Sequence, residues 1–525
     1  MVIENKHAKK MTTMKIKNLF MLLVAFLATT AFAACGDDEN DNGGGQPVSK
    51  LTVRPLSLSF DKDGGQGTFS AQAPVQAAAV SSADWCTVEV GAQTSGTKIS
   101  PVTVSVAPNT TTYARTATVT VTAGSETQTV TVEQAEGDAV IPAGTITKTA
   151  AQIARDMYPG WNLGNTLEAT GDGLGAETSW QPTRTTQQVI DAVKAAGFKA
   201  VRIPCSWDIH TTGGVIDADW MARVKQVVNY CILDGLYVVL NDHWDNGWIE
   251  VLGFSKSSSS YQAVDDAIIQ EKAQHLADLW TQIAVEFRDY DDHLLFAGLN
   301  EPFQEYSLFS AHHAELAPIL AVYNAAFVAA VRATGGNNAQ RTLVVQGPST
   351  SIASTCSYMP VSMLPEAAGR LMVEVHYYDP GQFCGTFDAS GANAFYYWGA
   401  ANHGSNHNAT YGEESYMQQQ FGRLKSTFTS QGYPVIIGEY AAMQRTLPND
   451  DQTKHDASVK YYYQFLNQTA VDNGIVPFAW DTNDTSGLGK EGGSSTIVDR
   501  AACTVVGTNA MAGVKAGAAA GQWPY

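Results

Sequence analysis

The sequence is poor in positive charge. Its 525 residues contain 32 Lys and Arg against 51 Asp and Glu, which gives a formal net charge of −19. A chain this acidic argues against nucleic acid and anionic membrane surfaces as partners, because both would repel it. No P-loop sequence that would cradle a nucleotide phosphate is present either. These absences favour a protein that acts on neutral ligands.

Cysteine is scarce and widely spaced. The chain has seven cysteines, and none has the C-x-x-C spacing that zinc sites use, so no zinc site is expected. Apart from Cys35, buried free thiols are expected, and Cys356 with Cys384 is the one candidate disulfide. The acidic run from Asp38 resembles the start of a calcium loop, but Ser49 stands where the bidentate glutamate should be. We therefore predict neither a metal nor an organic cofactor.

The apolar run near the start of the chain is short. A basic segment, MKIKN (14–18), precedes LFMLLVAFLA (19–28), which is too short to span a bilayer permanently. The run leads into FAAC, whose last residue is Cys35. This order resembles a bacterial lipoprotein signal. Residues 1–34 are therefore predicted to be a signal peptide, and Cys35 the residue that carries the lipid.

An acidic, glycine-rich segment follows the signal. Residues 35–48 contain GDDEN and GGG, and this composition predicts a flexible linker. GDDEN directly after the cysteine resembles the export tag of Bacteroidetes lipoproteins that reach the outer cell surface. We therefore expect an outer-membrane lipoprotein, anchored through Cys35, exposed on the cell surface and acting as a monomer.

Residues 49–136 have the pattern of an all-β domain. RTATVTVTAGSETQTVTVEQ (115–134) alternates apolar and polar residues around an AGS turn, which predicts a hairpin. SADWCTVEV (82–90) predicts another strand, with Trp85 in the core. The pattern fits a small immunoglobulin-like sandwich. LSF (58–60), the Trp85 strand and the closing VTVEQ resemble a BACON domain, a module that serves as a spacer or a glycan binder. Without an evident exposed aromatic cluster, a spacer is favoured.

After a linker at 137–147, short apolar runs alternate with helical segments. This alternation predicts βα units and a parallel sheet. One helical segment has a capping box from Thr185 to Gln188 and a glycine stop at Gly197. The predicted fold of residues 148–525 is an α/β structure, the (β/α)8 or TIM barrel. The eight apolar runs are 160–165, 200–207, 237–244, 294–302, 342–349, 371–379, 434–441 and 474–481.

Seven of these eight runs end in residues that can titrate or form hydrogen bonds. The carboxyl ends of the strands in such a barrel meet at one face, where the active site lies. Two ends are carboxylates, Glu301 and Glu439, and a pair of carboxylates is what cleavage of a glycosidic bond needs. Glu301 is predicted to be the general acid/base, and Asn300 to hydrogen-bond the sugar 2-hydroxyl. The remaining polar ends are Asn162, Asn165, Arg202, His243, His376, Tyr378 and Trp480.

The motifs LNEP and GEY around these glutamates resemble glycoside hydrolase family 5. GWNLGNTLEA, ETSW, AVKAAGFKAVRIPCSW, HYYDP and IVDR resemble its subfamily 4, a group of endo-β-1,4-glucanases and xyloglucanases, over residues 155–505. The resemblance implies a retaining, endo-acting hydrolase with Glu301 as acid/base and Glu439 as nucleophile. It also implies that Arg202 and Tyr378 hydrogen-bond the nucleophile and that Trp480 is an aromatic platform. The supporting and substrate-binding set is Asn165, Arg202, His243, Trp244, Asn300, His376, Tyr378 and Trp480.

Some positions depart from the family pattern. Where the family often has a second histidine after His243, this chain has Trp244, which would place an aromatic ring beside a glucose subsite. ETSWQP departs from the usual ETxWGNP. His312 and His313, on a predicted helix, are expected to be solvated. Further candidates for stacking on sugars in an open groove are Trp180, Trp207, Trp248 and Trp398.

The leading prediction is a surface-anchored endo-acting hydrolase whose partner is a β-glucan polysaccharide. A β-mannanase on the same barrel is an alternative within the enzyme class. A non-catalytic glycan-binding lipoprotein is the alternative from another class, and the intact Glu301 and Glu439 argue against it. The sequence leaves open the choice among xyloglucan, mixed-linkage β-glucan and cellulose-type chains, because the loops around the groove decide it.

Overall fold

Two arrangements of strands follow each other along the chain. The computed structural model describes residues 48–250, 264–304, 312–388, 390–448 and 450–524. The predicted signal peptide, Cys35 and the calcium-like run lie outside these residues. Within them, two four-stranded sheets precede a closed barrel of eight strands. The predicted fold class is therefore confirmed.

Alternating valine and threonine residues build the sandwich. The predicted hairpin is confirmed: Arg115–Ala123 pairs antiparallel with Glu126–Gln134, and Gly124 between them has a φ of +62° that suits a tight turn. Val119, Val121, Val130 and Val132 are fully buried, whereas their neighbours face outward. The eight strands are Thr52–Arg54, Ser57–Phe60, Gly65–Gln72, Ala78–Ser81, Cys86–Val90, Ile99–Val106, Arg115–Ala123 and Glu126–Gln134.

Trp85 lies at the edge of the sandwich core and not within it, so that prediction is wrong. The next residue, Cys86, begins the strand and is 1% exposed, while Trp85 is half-buried. The guanidinium of Arg115 lies 4.3 Å from the centre of the indole ring. A cation over an aromatic face is a favourable contact.

All eight apolar runs form parallel strands of one closed barrel, as predicted. Each observed strand lies within or close to its run, and the polar residues cluster where the strands end. The barrel strands, numbered 1 to 8 in chain order, are Gly160–Asn162, Ala200–Ile203, Tyr237–Asn241, Leu294–Ala297, Leu343–Ser351, Leu371–Tyr377, Val435–Tyr440 and Ile475–Ala479.

The barrel interior is apolar at the amino ends of its strands. Side chains alternate along a strand, so only every second residue points inward. A ring of inward residues closes this end and supports the polar residues above it. The ring includes Ala200, Tyr237, Val239, Leu295, Val344, Met372, Ile436 and Phe478.

A helix follows each barrel strand and covers its outer face. The fourth, His313–Ala333, is long and apolar enough to pass a length-and-hydropathy test for a membrane span, but 56% of that window is buried within the structure. It packs against the third helix and strand 5. The eight helices are Gln187–Ala196, Ala218–Leu233, Asp266–Glu286, His313–Ala333, Ile352–Tyr358, Glu414–Thr427, Asp450–Asp472 and Thr508–Ala520.

His312 and His313 are buried, so the prediction that they are solvated is wrong. They are 7% and 2% exposed. His313 Nδ1 lies 2.5 Å from the Ser354 hydroxyl, because the start of this helix packs against the loop and helix that follow strand 5. Burial lowers the pKa of His313, which makes it a neutral hydrogen-bonding residue.

The predicted capping box at Thr185 is also wrong, although the glycine stop is confirmed. Gly197 ends the helix with a φ of +109°. The residue that caps the start is Thr186, and its side chain makes no capping bond. Thr185 is instead held in a loop network, since its N–H donates to Glu177 and its carbonyl accepts from Arg223.

The disulfide proposed between Cys356 and Cys384 does not form. All six cysteines in the described residues are free thiols, and four of them are buried, as predicted for the majority. The Cys384 sulfur lies 3.2 Å from the Tyr462 hydroxyl, so this thiol is already packed against a different element.

Candidate active site

The two predicted carboxylates meet at the carboxyl end of the barrel. Glu301 follows strand 4, and Glu439 is the fifth residue of strand 7. One carboxylate oxygen from each, together with a ring nitrogen of His376, lie within 4.8 Å of one another. Retaining glycosidases separate their carboxyl groups by roughly 5–5.5 Å, whereas inverting enzymes leave about 6.5–9.5 Å for a water. The spacing therefore suits double displacement.

Arg202 holds the nucleophile candidate from below. Its side chain, on strand 2, is completely buried. Nη1 donates to Glu439 Oε1 at 3.0 Å and to Asn162 Oδ1 at 3.1 Å, and Nη2 donates to Asn300 Oδ1 at 2.6 Å. Because the Asn300 oxygen is engaged in this way, its amide NH₂ is the group left to donate to a ligand.

His376 on strand 6 connects the two glutamates. Its Nδ1 lies 2.7 Å from Glu301 Oε1 and 3.7 Å from Glu439 Oε2. Burial lowers the pKa of His376, but Glu439, Glu301 and Glu374 outweigh that effect and raise the pKa to about 9. His376 is therefore an imidazolium at neutral pH and donates from both ring nitrogens.

Glu439 is a desolvated carboxylate surrounded by donors. The Tyr378 hydroxyl donates to its Oε2 at 2.9 Å. Burial raises the pKa of Glu439, while His376, Arg202 and the Tyr378 hydrogen bond act in the opposite direction. These donors supply the charge stabilisation that an ionised carboxylate needs when it is removed from water.

Aromatic residues border the two glutamates. Trp480, after strand 8, is parallel to the His243 ring, with centroids 6.0 Å apart. The Asn241 amide lies 3.2 Å from His243 Nδ1. Burial, with the charges of Arg202 and His376, holds the pKa of His243 well below its usual value. His243 is therefore neutral.

Trp244 has a different environment from Trp480. It is 39% exposed and lines the same small pocket as His243, Asn300 and Glu301. The three residues after it, Asp245 to Gly247, all have positive φ. This tight loop keeps the ring at the rim, on the side of Glu301.

Asn165 is less directly connected to the site. Its φ is +58°, and its N–H donates to Glu168. Arg500 binds the carbonyl of the neighbouring Gly164 at 2.8 Å, which fixes the loop beside Trp480. Among the described residues, no hydrogen bond links the Asn165 side chain to Glu301 or Glu439.

Three of the four additional tryptophan candidates belong to the core. Trp207 and Trp398 are fully buried and Trp248 is 9% exposed. Their indole N–H groups donate to Asn241, Gly412 and Asp242, respectively. Trp180 is 47% exposed and keeps its predicted availability for sugar.

Sequence reasoning missed Glu374 and its partner Gln346. Both are fully buried on adjacent strands and paired in register, and the Gln346 amide donates to Glu374 Oε2 at 2.6 Å. The available signal was a charged residue at an inward position of the apolar run LMVEVHY.

The acidic cluster also has the spacing of a metal site. Glu301, His376 and Glu439 could each offer one ligand atom. These side chains already hydrogen-bond Arg202, Tyr378 and one another. The expectation that the site uses no metal stays a prediction.

Sequence comparison identifies the family. The family model described as cellulase, glycosyl hydrolase family 5, matches residues 167–486, which is more than half of the chain. The chain belongs to glycoside hydrolase family 5. The BACON binding-domain model matches residues 76–135 of this family 5 enzyme.

Relatives of the enzyme hydrolyse β-1,4-glucans. It is 77% identical to a xyloglucan-specific β-1,4-glucanase from a ruminal metagenomic library, solved with XXLG, over 72% of this chain and 98% of that one, with a TM-score of 0.70. It is 32% identical to the xyloglucan-specific endo-β-1,4-glucanase BoGH5A of Bacteroides ovatus, over 90% of this chain and 93% of that protein. It is 35% identical to Endoglucanase A of Paenibacillus barcinonensis, over 63% and 82%. Family 5 is a retaining family, so the protein is a retaining glycoside hydrolase whose relatives are endo-β-1,4-glucanases.

Proposed function

We propose that xyloglucan is the preferred substrate of this enzyme. The observation that carries the proposal is the 77% identity to a protein described as xyloglucan-specific, over 98% of that chain. At that identity about three of every four aligned residues are the same in the two chains. The Bacteroides ovatus relative, which has the same described specificity, supports the proposal over 90% of the chain.

The proposed mechanism has two steps, and each glutamate acts in both. Glu301 protonates the leaving glucosyl oxygen while Glu439 attacks the anomeric carbon, so the glycosidic bond breaks as a glycosyl–enzyme ester forms. Glu301, now ionised, then takes a proton from water, whose oxygen attacks the same carbon and releases Glu439. The two inversions give net retention.

The surrounding residues supply binding and charge stabilisation. Arg202 and Tyr378 stabilise the Glu439 carboxylate that attacks and leaves. The Asn300 amide is positioned to donate to the sugar 2-hydroxyl. Trp480 forms the platform under the sugar at the cleavage point, and Trp244, which shares a pocket with Glu301, stacks on the leaving-group side.

We also propose the domain division and location that the sequence predicts. Residues 1–34 are a signal peptide, Cys35 carries the lipid at the outer membrane, and 35–48 form the linker. Residues 49–136 are a BACON-like spacer, 137–147 a second linker and 148–525 the catalytic domain. The basic and apolar segments before FAAC support the anchoring. Labelling cells with a radioactive fatty acid tests it, since Cys35→Ser should abolish incorporation.

Reducing-sugar release from four polysaccharides tests the specificity. The purified protein is incubated with xyloglucan, mixed-linkage glucan, carboxymethylcellulose and glucomannan. We expect kcat/KM on xyloglucan to exceed that on the others by at least about tenfold, which is ~1.4 kcal/mol of transition-state discrimination. Equal rates would indicate a broad endoglucanase, fastest release from glucomannan a mannanase, and no release a binding protein.

Two isosteric variants test the catalytic assignment. Glu301→Gln and Glu439→Gln are each expected to lose at least about 10²-fold in kcat, the lower end of what general acid–base and nucleophilic groups contribute. Thermal melting should show that both variants are folded. Near-normal turnover in either would refute the assignment.

A further inference from the structure

Glu374 is a buried charge between the apolar end of the barrel and the catalytic pair. It lies in the middle of strand 6, all of whose residues are buried. Met372, Glu374 and His376 share the inward face, because side chains alternate along a strand. Met372 belongs to the apolar ring, and His376 contacts Glu301. Glu374 therefore occupies the layer directly beneath the site.

The carboxylate of Glu374 contacts three polar side chains. Its Oε1 lies 2.8 Å from Arg202 Nε and 3.3 Å from His376 Nε2. Its Oε2 accepts from Gln346 at 2.6 Å. A buried carboxylate without partners would cost several kcal/mol, so these contacts are what hold an ionised glutamate at this depth.

The two cations bound by Glu374 are the ones that hold the catalytic glutamates. Arg202 forms an ion pair through Nε with Glu374, without the alignment of a hydrogen bond, and donates a hydrogen bond from Nη1 to Glu439. His376 presents Nε2 to Glu374 and Nδ1 to Glu301. The Glu374 carboxylate therefore contacts Arg202 and His376 on the sides that face away from Glu439 and Glu301.

The backbone before the nucleophile is shaped around Glu374. A Cβ on Gly438 would lie 1.9 Å from Glu374 Oε1 and 3.0 Å from His376 Nε2. The register of strands 6 and 7 also shifts here, since Val375 pairs with Ile437 but His376 pairs with Glu439. A side chain at position 438 would displace the carboxylate, and the shift brings Glu439 level with His376.

We propose that Glu374 is a positioning residue for both catalytic glutamates, acting on Glu439 through Arg202 and on Glu301 through His376. The inference rests on the roles proposed above for Glu301 and Glu439. Glu374 itself is fully buried and acts only through the two cations.

The electrostatics agree with this geometry. Burial raises the pKa of Glu374, but Arg202 and His376 outweigh it and the pKa is lowered. Glu374 is in turn one of the carboxylates that keep His376 protonated. If the charge of Glu374 is removed, His376 holds its second proton less tightly, and it can no longer donate to both sides at once.

The test replaces Glu374→Gln, which keeps the size and removes the charge. We expect kcat to fall about 10- to 100-fold, part of the 10²–10⁴ of general acid–base catalysis, with KM little changed. NMR of the full chain with ¹³C-labelled histidine measures the pKa of His376 directly, and the spectrum of His376→Asn assigns its signal. The pKa of His376 should fall from about 9 towards its ordinary 6.5.

The matched control is Glu366→Gln. Glu366 forms a two-bond ion pair with Arg332, both contacts at 2.7 Å, in the loop that enters strand 6 at the opposite end of the barrel. This variant removes an ion pair that is partly exposed, and it is expected to leave kcat and the pKa of His376 unchanged. Glu374→Asp, which keeps the charge, should recover part of both losses.

Wild-type kcat and an unmoved His376 pKa in Glu374→Gln would overturn the inference, and so would equal kcat losses in the Glu366 control. If Glu374→Gln does not fold, the titration of His376 in the wild type tests the inference. A His376 pKa at or below 6.5 would show that Glu374 does not keep His376 protonated. Failure of the catalytic assignment is distinguishable: it would appear as activity in Glu301→Gln or Glu439→Gln, whereas the His376 titration does not depend on turnover.

Discussion

Replacing Tyr378→Phe should move the acidic limb of the pH profile to higher pH. The Tyr378 hydroxyl donates to Glu439 at 2.9 Å and is one of the groups that lower the pKa of this buried carboxylate. A hydrogen bond to a charged group contributes about 1.5–3 kcal/mol. At 1.36 kcal/mol per pH unit, its loss should raise the Glu439 pKa by about one to two units.

The direction of the change follows from the mechanism. Glu439 attacks only when ionised, so a higher pKa delays the rise in activity as pH increases. The assay is kcat/KM on xyloglucan from pH 4 to pH 9 for the wild type and the variant. An acidic limb that stays in place would refute the role assigned to this hydroxyl.

The neighbouring tyrosine provides the control. Tyr377 is 2% exposed and packs on Phe421, and its hydroxyl has no hydrogen-bond partner among the described residues. Tyr377→Phe should therefore leave the pH profile unchanged. A shift in both variants would mean that the profile reports general loosening of strand 6.

Three further results are expected. The pKa of His376 is raised to about 9, so the contribution of its charge to folding stability is fully present below pH 6.5 and is lost as pH rises through 9. Urea unfolding should therefore show that the free energy of unfolding declines by about 3 kcal/mol over this range. His376→Gln should remove that decline. Gly438→Ala should lower kcat at least about tenfold, because a displaced Glu374 no longer supports general acid–base catalysis. Gly422 is an exposed helix position with open space around it. Gly422→Ala should therefore leave kcat unchanged and stabilise the fold by up to about 1 kcal/mol. Since all six described cysteines are free, a reducing agent should leave the melting temperature unchanged; a clear drop would reveal a disulfide.

The barrel could be predicted because each strand has a local sequence pattern. Each is an apolar run, seven of the eight end in a polar residue, and this pattern can be read without knowing which strands pair. Seven of the eight strands are shorter than their runs: Gly160–Asn162, for example, forms where 160–165 was predicted. Strand 5, Leu343–Ser351, is longer than the predicted 342–349. Polar residues such as Arg202, His376 and Glu439 lie at or near the last strand positions, and Glu301 lies just beyond its strand, where pairing with a neighbouring strand stops.

The errors concern burial and pairing across long stretches of chain. His313 was predicted to be solvated on a helix, but Ser354, 41 positions later, contacts its ring. Arg202 and Glu374 are 172 positions apart and meet only when the barrel closes. The two cysteines had no spacing signal, and the structure packs Cys384 against Tyr462.

The layering of the barrel separates the residues that can change from those that cannot. The apolar ring stabilises the fold and offsets the desolvation cost of the charged layer above it. In that layer Arg202 contacts Glu374, Glu439, Asn162 and Asn300. Any change to that arginine leaves several buried groups unpaired at once, which costs activity and stability together. Trp244 lies at the rim and is 39% exposed. Its replacement leaves no buried charge without a partner. Differences in glucan preference should therefore arise at rim residues such as Trp244, while the charged layer beneath stays fixed by its own contacts.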